Sequence, residues 1–168
     1  MRRFALVLLA LAFHLVSASA QDRWSEFRSD ANGFSVMLPQ APTVTSRQIG
    51  TSKATQTNFL IESGAITYLV SVVQTEKGTV PKNPDHAYFQ KLMKNYAEGS
   101  KTVLRTSKAA TIAGKPGIEG LLEEGNSAHQ VQVLAAGDRI YMVVYVGPKG
   151  QENSADPVRF RGSFRLIN

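Results

Sequence analysis

Two stretches of the chain are apolar on every second position and on many of the positions between. In AITYLVSVVQT, Ile66, Tyr68, Val70 and Val72 share one face of an extended segment, while Leu69 and Val73 stand on the other. In RIYMVVYVG, Ile140, Met142, Val144 and Val146 oppose Tyr141, Val143 and Tyr145. A strand that is apolar on both faces has to be covered on both faces. The pattern therefore predicts a sheet held between two layers.

Other segments supply the remaining elements. FSVMLP puts Phe34, Val36 and Leu38 on one face and Ser35 and Met37 on the other, then stops at Pro39 with Pro42 close behind. Neither proline can donate to a ladder, so this strand lies at or near an edge, or the prolines turn the chain out of the sheet. Upstream, residues 21–32 are polar apart from Trp24 and Phe27 and read as a lead-in whose aromatics dock on the body. Residues 43–63 are polar and threonine-rich, which predicts a long wet hairpin arm.

A helix is expected over NPDHAYFQKLMKNYAEGS, with Asn83 as cap, Pro84 at the first position and Asp85 in the first turn, ending at Gly99. Phe89, Leu92, Met93 and Tyr96 recur at helical spacing on one stripe. A shorter helix is expected in NSADPVRFRGSF, capped by Ser154 or Asp156 with Pro157 just inside and Gly162 weakening it. Between the two helices, strands at residues 102–112, 118–124, 130–135 and from Ile140 are separated by AGKPG, GNSA and Gly137-Asp138. The last three form an antiparallel meander, because their connections are too short for parallel crossovers.

The N-terminus changes the picture of where the protein works. Arg2 and Arg3, an apolar run from Phe4 to Val16, and Ala18-Ser19-Ala20 read as a signal peptide cleaved near Ala20, leaving residues 21–168 as one domain. The apolar run is shorter than the roughly 20 residues that span a bilayer. Arg2-Arg3-Phe4 begins like a twin-arginine signal, but the rest of that motif is missing, so ordinary export is expected. With no cysteine there can be no lipid-anchoring thiol, disulfide or thiolate metal site. The expected location is the periplasm or outside the cell, with no stable membrane anchor after cleavage.

Losing Arg2 and Arg3 lowers the net charge from +6 to +4. A mildly basic protein associates loosely with anionic surfaces, yet no Lys/Arg-rich run suggests a nucleic-acid partner.

Candidate chemistry is sparse. His86 and His129 are the histidines left after the leader, and neither belongs to an H-x-x-x-H or H-E-x-x-H spacing, so no metal and no cofactor is expected. Glu119 and Glu123 share a strand face and Glu124 takes the other, which suits a hairpin rim better than an acid/base pair. Ser35, Ser71 and Ser163 lack a nucleophile-elbow context, and GKPG lacks the spacing of a phosphate loop. No catalytic residue is assigned. Arg159, Arg161 and Arg165 form a candidate surface for an acidic partner, and Tyr68, Phe89 and Tyr145 a candidate pocket lining between sheet and helix.

The order of features, from the leader through Trp24, Phe27 and GFSVMLP, then YLVSVV, the long helix, GKPGIEG, RIYMVVYVG and a closing FRGSFRL, resembles the PsbP/Mog1-like fold of small secreted bacterial proteins. The resemblance spans nearly all of the mature chain. It implies an α+β architecture, a central antiparallel sheet flanked by helices on both faces as an α/β/α sandwich. Its motifs are aromatics, glycines and prolines, which speak to fold and not to activity. The functional expectation is a non-enzymatic binding or accessory module that acts through its surface on an envelope protein. The alternative is a small-molecule or lipid-binding protein.

Overall fold

The computed structural model of the protein describes residues 24–167; the expected leader, residues 1–20, lies outside them. Strands occupy 53% of the described residues and helices 19%, so the class is α+β with the sheet dominant. Among the described residues ten strands form two antiparallel sheets. The small one orders β1 (Ser25–Ser29), β2 (Phe34–Leu38) and β10 (Arg165–Leu166) as β1-β2-β10. The large one contains β3 (Thr43–Gln48), β4 (Thr55–Ser63), β5 (Ile66–Gln74), β6 (Val103–Ile112), β7 (Lys115–Glu124), β8 (Ser127–Ala136) and β9 (Arg139–Pro148), ordered β3-β4-β5-β9-β8-β7-β6.

The two doubly apolar segments become β5 and β9, paired with each other at the centre of the large sheet with Tyr68 opposite Tyr145 and Val70 opposite Val143. Helix α1 (His86–Ser100) carries the chain from β5 to the far edge strand β6, and four antiparallel strands then step back to β9. The hairpins of this meander turn in two residues each, so the strands are longer than the turn-rich sequence suggested. Ala113 and Gly114 both have positive φ, 48° and 76°, as a type I′ connection requires.

Alternation along the strands divides the interior in two. On one face Leu69, Val131, Val133 and Val144 meet Phe89, Met93 and Ala97 of α1. Gly120 makes that contact close: a Cβ there would stand 2.8 Å from Met93 Cε. On the other face Tyr68, Val70, Tyr141, Val143 and Tyr145 meet Phe34, Val36 and Leu38 of β2, with Phe160 of α2 (Ala155–Ser163) and Phe164. The second cover is thus a small sheet with a helix beside it, and its contribution from strands was not foreseen.

Local chemistry explains other departures. β2 is the middle strand of the small sheet, and Pro39 and Pro42 lie where the chain leaves it for β3; the prolines turn the chain out. Trp24 and Phe27 pack on the core as expected, but residues 25–29 also form β1. Residues 43–63 are a hairpin, though only β3 is a wet arm; β4 pairs along its full length with β5 and buries Phe59 and Ile61. The α1 cap is Asp85, whose carboxylate accepts the Tyr88 N–H at 2.8 Å, and the helix runs past Gly99 to a left-handed Lys101.

The small sheet is fastened at the connection between β1 and β2. Tyr141 Oη donates to Asn32 O at 3.0 Å, Arg139 Nη2 to Ala31 O at 3.0 Å, and Ile167 N to Gly33 O at 3.1 Å. Gly33 has φ of 69°, and a Cβ there would lie 2.6 Å from Arg139 Nη1. Phe34, fully buried, stands 4.9 Å from Phe59 and 5.7 Å from Phe164, ring centre to ring centre. Phe34→Ala is expected to cost about 3–5 kcal/mol of unfolding free energy in urea titration, since the cavity opens between two layers that cannot both collapse into it.

Candidate functional site

The structure distributes the three arginines among separate environments. Arg159 lies over the Trp24 ring, 5.3 Å from its centre. Arg161, two positions along the same helix and so on a different side of it, reaches toward the large sheet and donates from Nη2 to Glu152 O at 3.1 Å. Arg165 turns back on α2, donating from Nη1 to the carbonyls of Gly162 and Phe164 at 2.8 Å each. The three do not make one patch.

The aromatic trio is divided as well. Tyr68 and Tyr145, 5.8 Å apart, belong to the core beneath the small sheet, whereas Phe89 is packed under α1 on the opposite face. All three are buried core residues, and they do not line one cavity. Burial pushes the Tyr68 hydroxyl up to about 12, with the charge of Asp156 and the neighbouring Tyr145 adding to it.

The remaining candidates resolve into structural roles. Glu123 accepts from Lys149 and Arg105, each at 2.9 Å, and these bonds hold its carboxyl below the ordinary carboxylate range. Glu119 has different partners, Gln132 Nε2 at 2.7 Å and Lys108 Nζ at 3.6 Å, while Glu124 is exposed. Ser163 Oγ accepts the Met37 N–H at 2.9 Å and donates to Phe160 O at 2.8 Å, tying α2 to β2. Ser71 accepts from Gln56 Nε2 at 2.9 Å, and Ser35 is buried in β2. Among the described residues no three His, Asp or Glu side chains converge as a metal site, and no helix is long and apolar enough to cross a membrane.

His86 is exposed at the start of α1, but His129 is buried in β8 with Nδ1 2.9 Å from Tyr96 Oη. The two rings share one hydrogen bond whose direction follows the imidazole tautomer, and burial lowers the His129 pKa while the charge of Glu124 opposes the shift. Burial also raises the Tyr96 hydroxyl. The polar cross-link between α1 and the sheet was not legible, because nothing in spacing joins residues 96 and 129.

Two features of the surface remain without an internal explanation. The first is β3, an edge strand whose six residues are all exposed. Val44 and Ile49, at the strand and its end, are among the large apolar side chains left in water. Arg47 is laid flat along the hairpin by bonds to Gln56 Oε1 at 3.0 and 2.8 Å. The opposite edge, β6, also leaves Val103 and Leu104 in water, but it carries a register break between Leu104 and Thr106 and a lysine, Lys108, that reaches across to Glu119.

The second feature is a groove of about 280 Å³ between α2 and the strands β6, β7 and β8, bordered by Lys108, Glu119, Gln130, Gln132, Asn153 and Arg161. It occupies the part of the face that the small sheet does not cover. Four buried side-chain polar atoms among the described residues lack a hydrogen-bond partner in the protein, and three of them belong to residues that line this groove: Gln130 Oε1, Gln132 Oε1 and Arg161 Nε. Burial lowers the Arg161 pKa, with Glu119 and Tyr145 pulling it back. The sequence signal was the run of Glu119, Gln130 and Gln132 at alternate positions of neighbouring strands, which reads equally as a wet face.

The chain matches no protein-family model and no curated protein sequence. Its structure is similar to the solution structure of cyanobacterial PsbP (CyanoP) from Synechocystis sp. PCC 6803, with a TM-score of 0.55 and 10% identity over 89% of this chain and 96% of that one. At that identity the likeness speaks to fold alone, and the fold is PsbP-like.

Because His129 is depressed below its ordinary 6.5, the unfolded chain takes up its proton first as pH falls. The contribution is intact above 6.5 and is lost as pH falls from that value to the lower one in the folded chain. Urea titrations from pH 7.5 to pH 5 should show stability declining in the wild type and a flatter profile in His129→Gln; equal slopes would remove the assignment.

Proposed function

We propose that the protein is an exported, non-enzymatic accessory module that docks on an envelope protein through the outer edge of β3. The leader-like N-terminus supports export, and the PsbP-like fold, read as an α/β/α sandwich in which α2 and the small sheet share one layer, supplies a rigid frame. The observation that carries the reading is the edge itself. Sheet edges present unpaired N–H and C=O groups, and proteins ordinarily blunt them with bulges, inward charges or lysine. β6 has such devices. β3 has threonines, a valine and an arginine folded down on its own hairpin. An extended segment of a partner can add to this edge by main-chain hydrogen bonds, with Val44 and Ile49 offering apolar contact.

The separated arginines shift the expected docking surface from the C-terminal segment to β3. Arg159 and Arg165 have contacts within the chain, with Trp24 and with the end of α2.

A photo-crosslinking side chain placed at Thr45 should trap one partner in intact envelopes of the native host, and the same probe at Ser107 on β6 should not. Val44→Lys with Ile49→Lys should abolish the capture. Both positions are exposed, so the substitutions should change unfolding free energy by no more than about 0.5 kcal/mol. Capture that persists in the lysine variant, or equal capture from β6, would refute docking through this edge.

A further inference from the structure

The groove beside α2 is a built polar site and not merely a gap in the cover. Gln132 is 92% buried, and its orientation is fixed, because Nε2 donates to Glu119 Oε1 at 2.7 Å. Rotating the amide would set oxygen against carboxylate, so Oε1 must be the atom left without a partner. Gln130 Oε1, two residues earlier on the same face of β8, is unpartnered too. Across from them Arg161 presents an unpartnered Nε donor. A buried polar atom without a partner is destabilising, and three at one place are a concentration that folding alone does not require.

The charges define what would satisfy them. Lys108 and Arg161 are cationic and Glu119 anionic, so the groove carries one excess positive charge. Glu119 is already occupied by Gln132 and Lys108, which leaves neutral amide oxygens as the open acceptors. Those suit hydroxyl donors better than an ammonium group, whose desolvation needs an opposing charge. Arg161 suits a carboxylate. We infer that this groove binds a small monocarboxylate bearing hydroxyl groups, its carboxylate on Arg161 and its hydroxyls on Gln130 and Gln132. The three unpartnered atoms are buried, so Arg161, half-buried and held by the bond from Nη2 to Glu152 O, has to shift for the ligand to reach them.

The inference does not depend on the β3 edge. Its test is titration of the isotope-labelled protein with galacturonate, gluconate and lactate, beside neutral galactose and acetate as controls, followed by amide chemical shifts including the glutamine side chains. At least one hydroxy acid should give saturable shifts at Gln130, Gln132 and Arg161 at millimolar concentration, with galactose and acetate about tenfold weaker or more. Arg161→Gln should weaken that acid about tenfold, and Gln132→Met should abolish its binding while leaving the protein as stable or more so, because an unpartnered atom has been removed. Shifts elsewhere only, equal response to galactose, or no groove response to any of the three acids would overturn the inference.

Discussion

The paired strands β5 and β9 set the terms for the whole molecule, because they are apolar on both faces and neither face can be left to water. Two covers must therefore form, and the chain builds them by different means. One is α1, laid across β6 to β8 with Phe89, Met93 and Ala97 inward. The other gathers the two ends of the described chain: β1 and β2 come from the N-terminal side, α2 and β10 from the C-terminal side, and Phe34, Phe160 and Phe164 bring them onto the large sheet. Sequence-distant segments thus have to meet before the second face is dry.

Unequal covers leave unequal remainders. The second cover sits over β4, β5 and β9 at one side, and the faces of β6, β7 and β8 beyond α2 carry Lys108, Glu119, Gln130 and Gln132 in place of apolar residues. Polar side chains at those positions are consistent with open space above them, but burial of Gln132 without a full set of partners is not what a solvated face would show. At the far side β3 extends past both covers, exposed on both faces. The two surfaces proposed to bind something are the two places where the layered packing ends.

Much of the frame was legible from periodicity. The alternation in β5 and β9, the Phe89-Leu92-Met93-Tyr96 stripe and the short turns of the meander each report a local geometry with a fixed period. Local competition blurred the boundaries: Asp85 won the cap over Asn83 because its carboxylate reaches the Tyr88 N–H, and the helix ran past its expected end at Gly99 to a left-handed Lys101. The second cover was harder to see, since β1 and β10 are short and owe their pairing to β2, a partner remote from β10 in the chain. Site residues were less legible still. Arginines two apart on a helix point to different sides, and Tyr68, Phe89 and Tyr145 have no sequence mark that says which face of the sheet each joins.

Amide hydrogen exchange along β3 tests the account most directly, compared between the purified protein and the protein bound to envelopes of its host. Thr43–Gln48 should exchange rapidly in isolation, with β5 and β9 protected, and β3 alone should gain strong protection in the envelope-bound state. Rapid exchange of β3 in both states, with protection gained at α1 or at the ends of the small sheet, would contradict it.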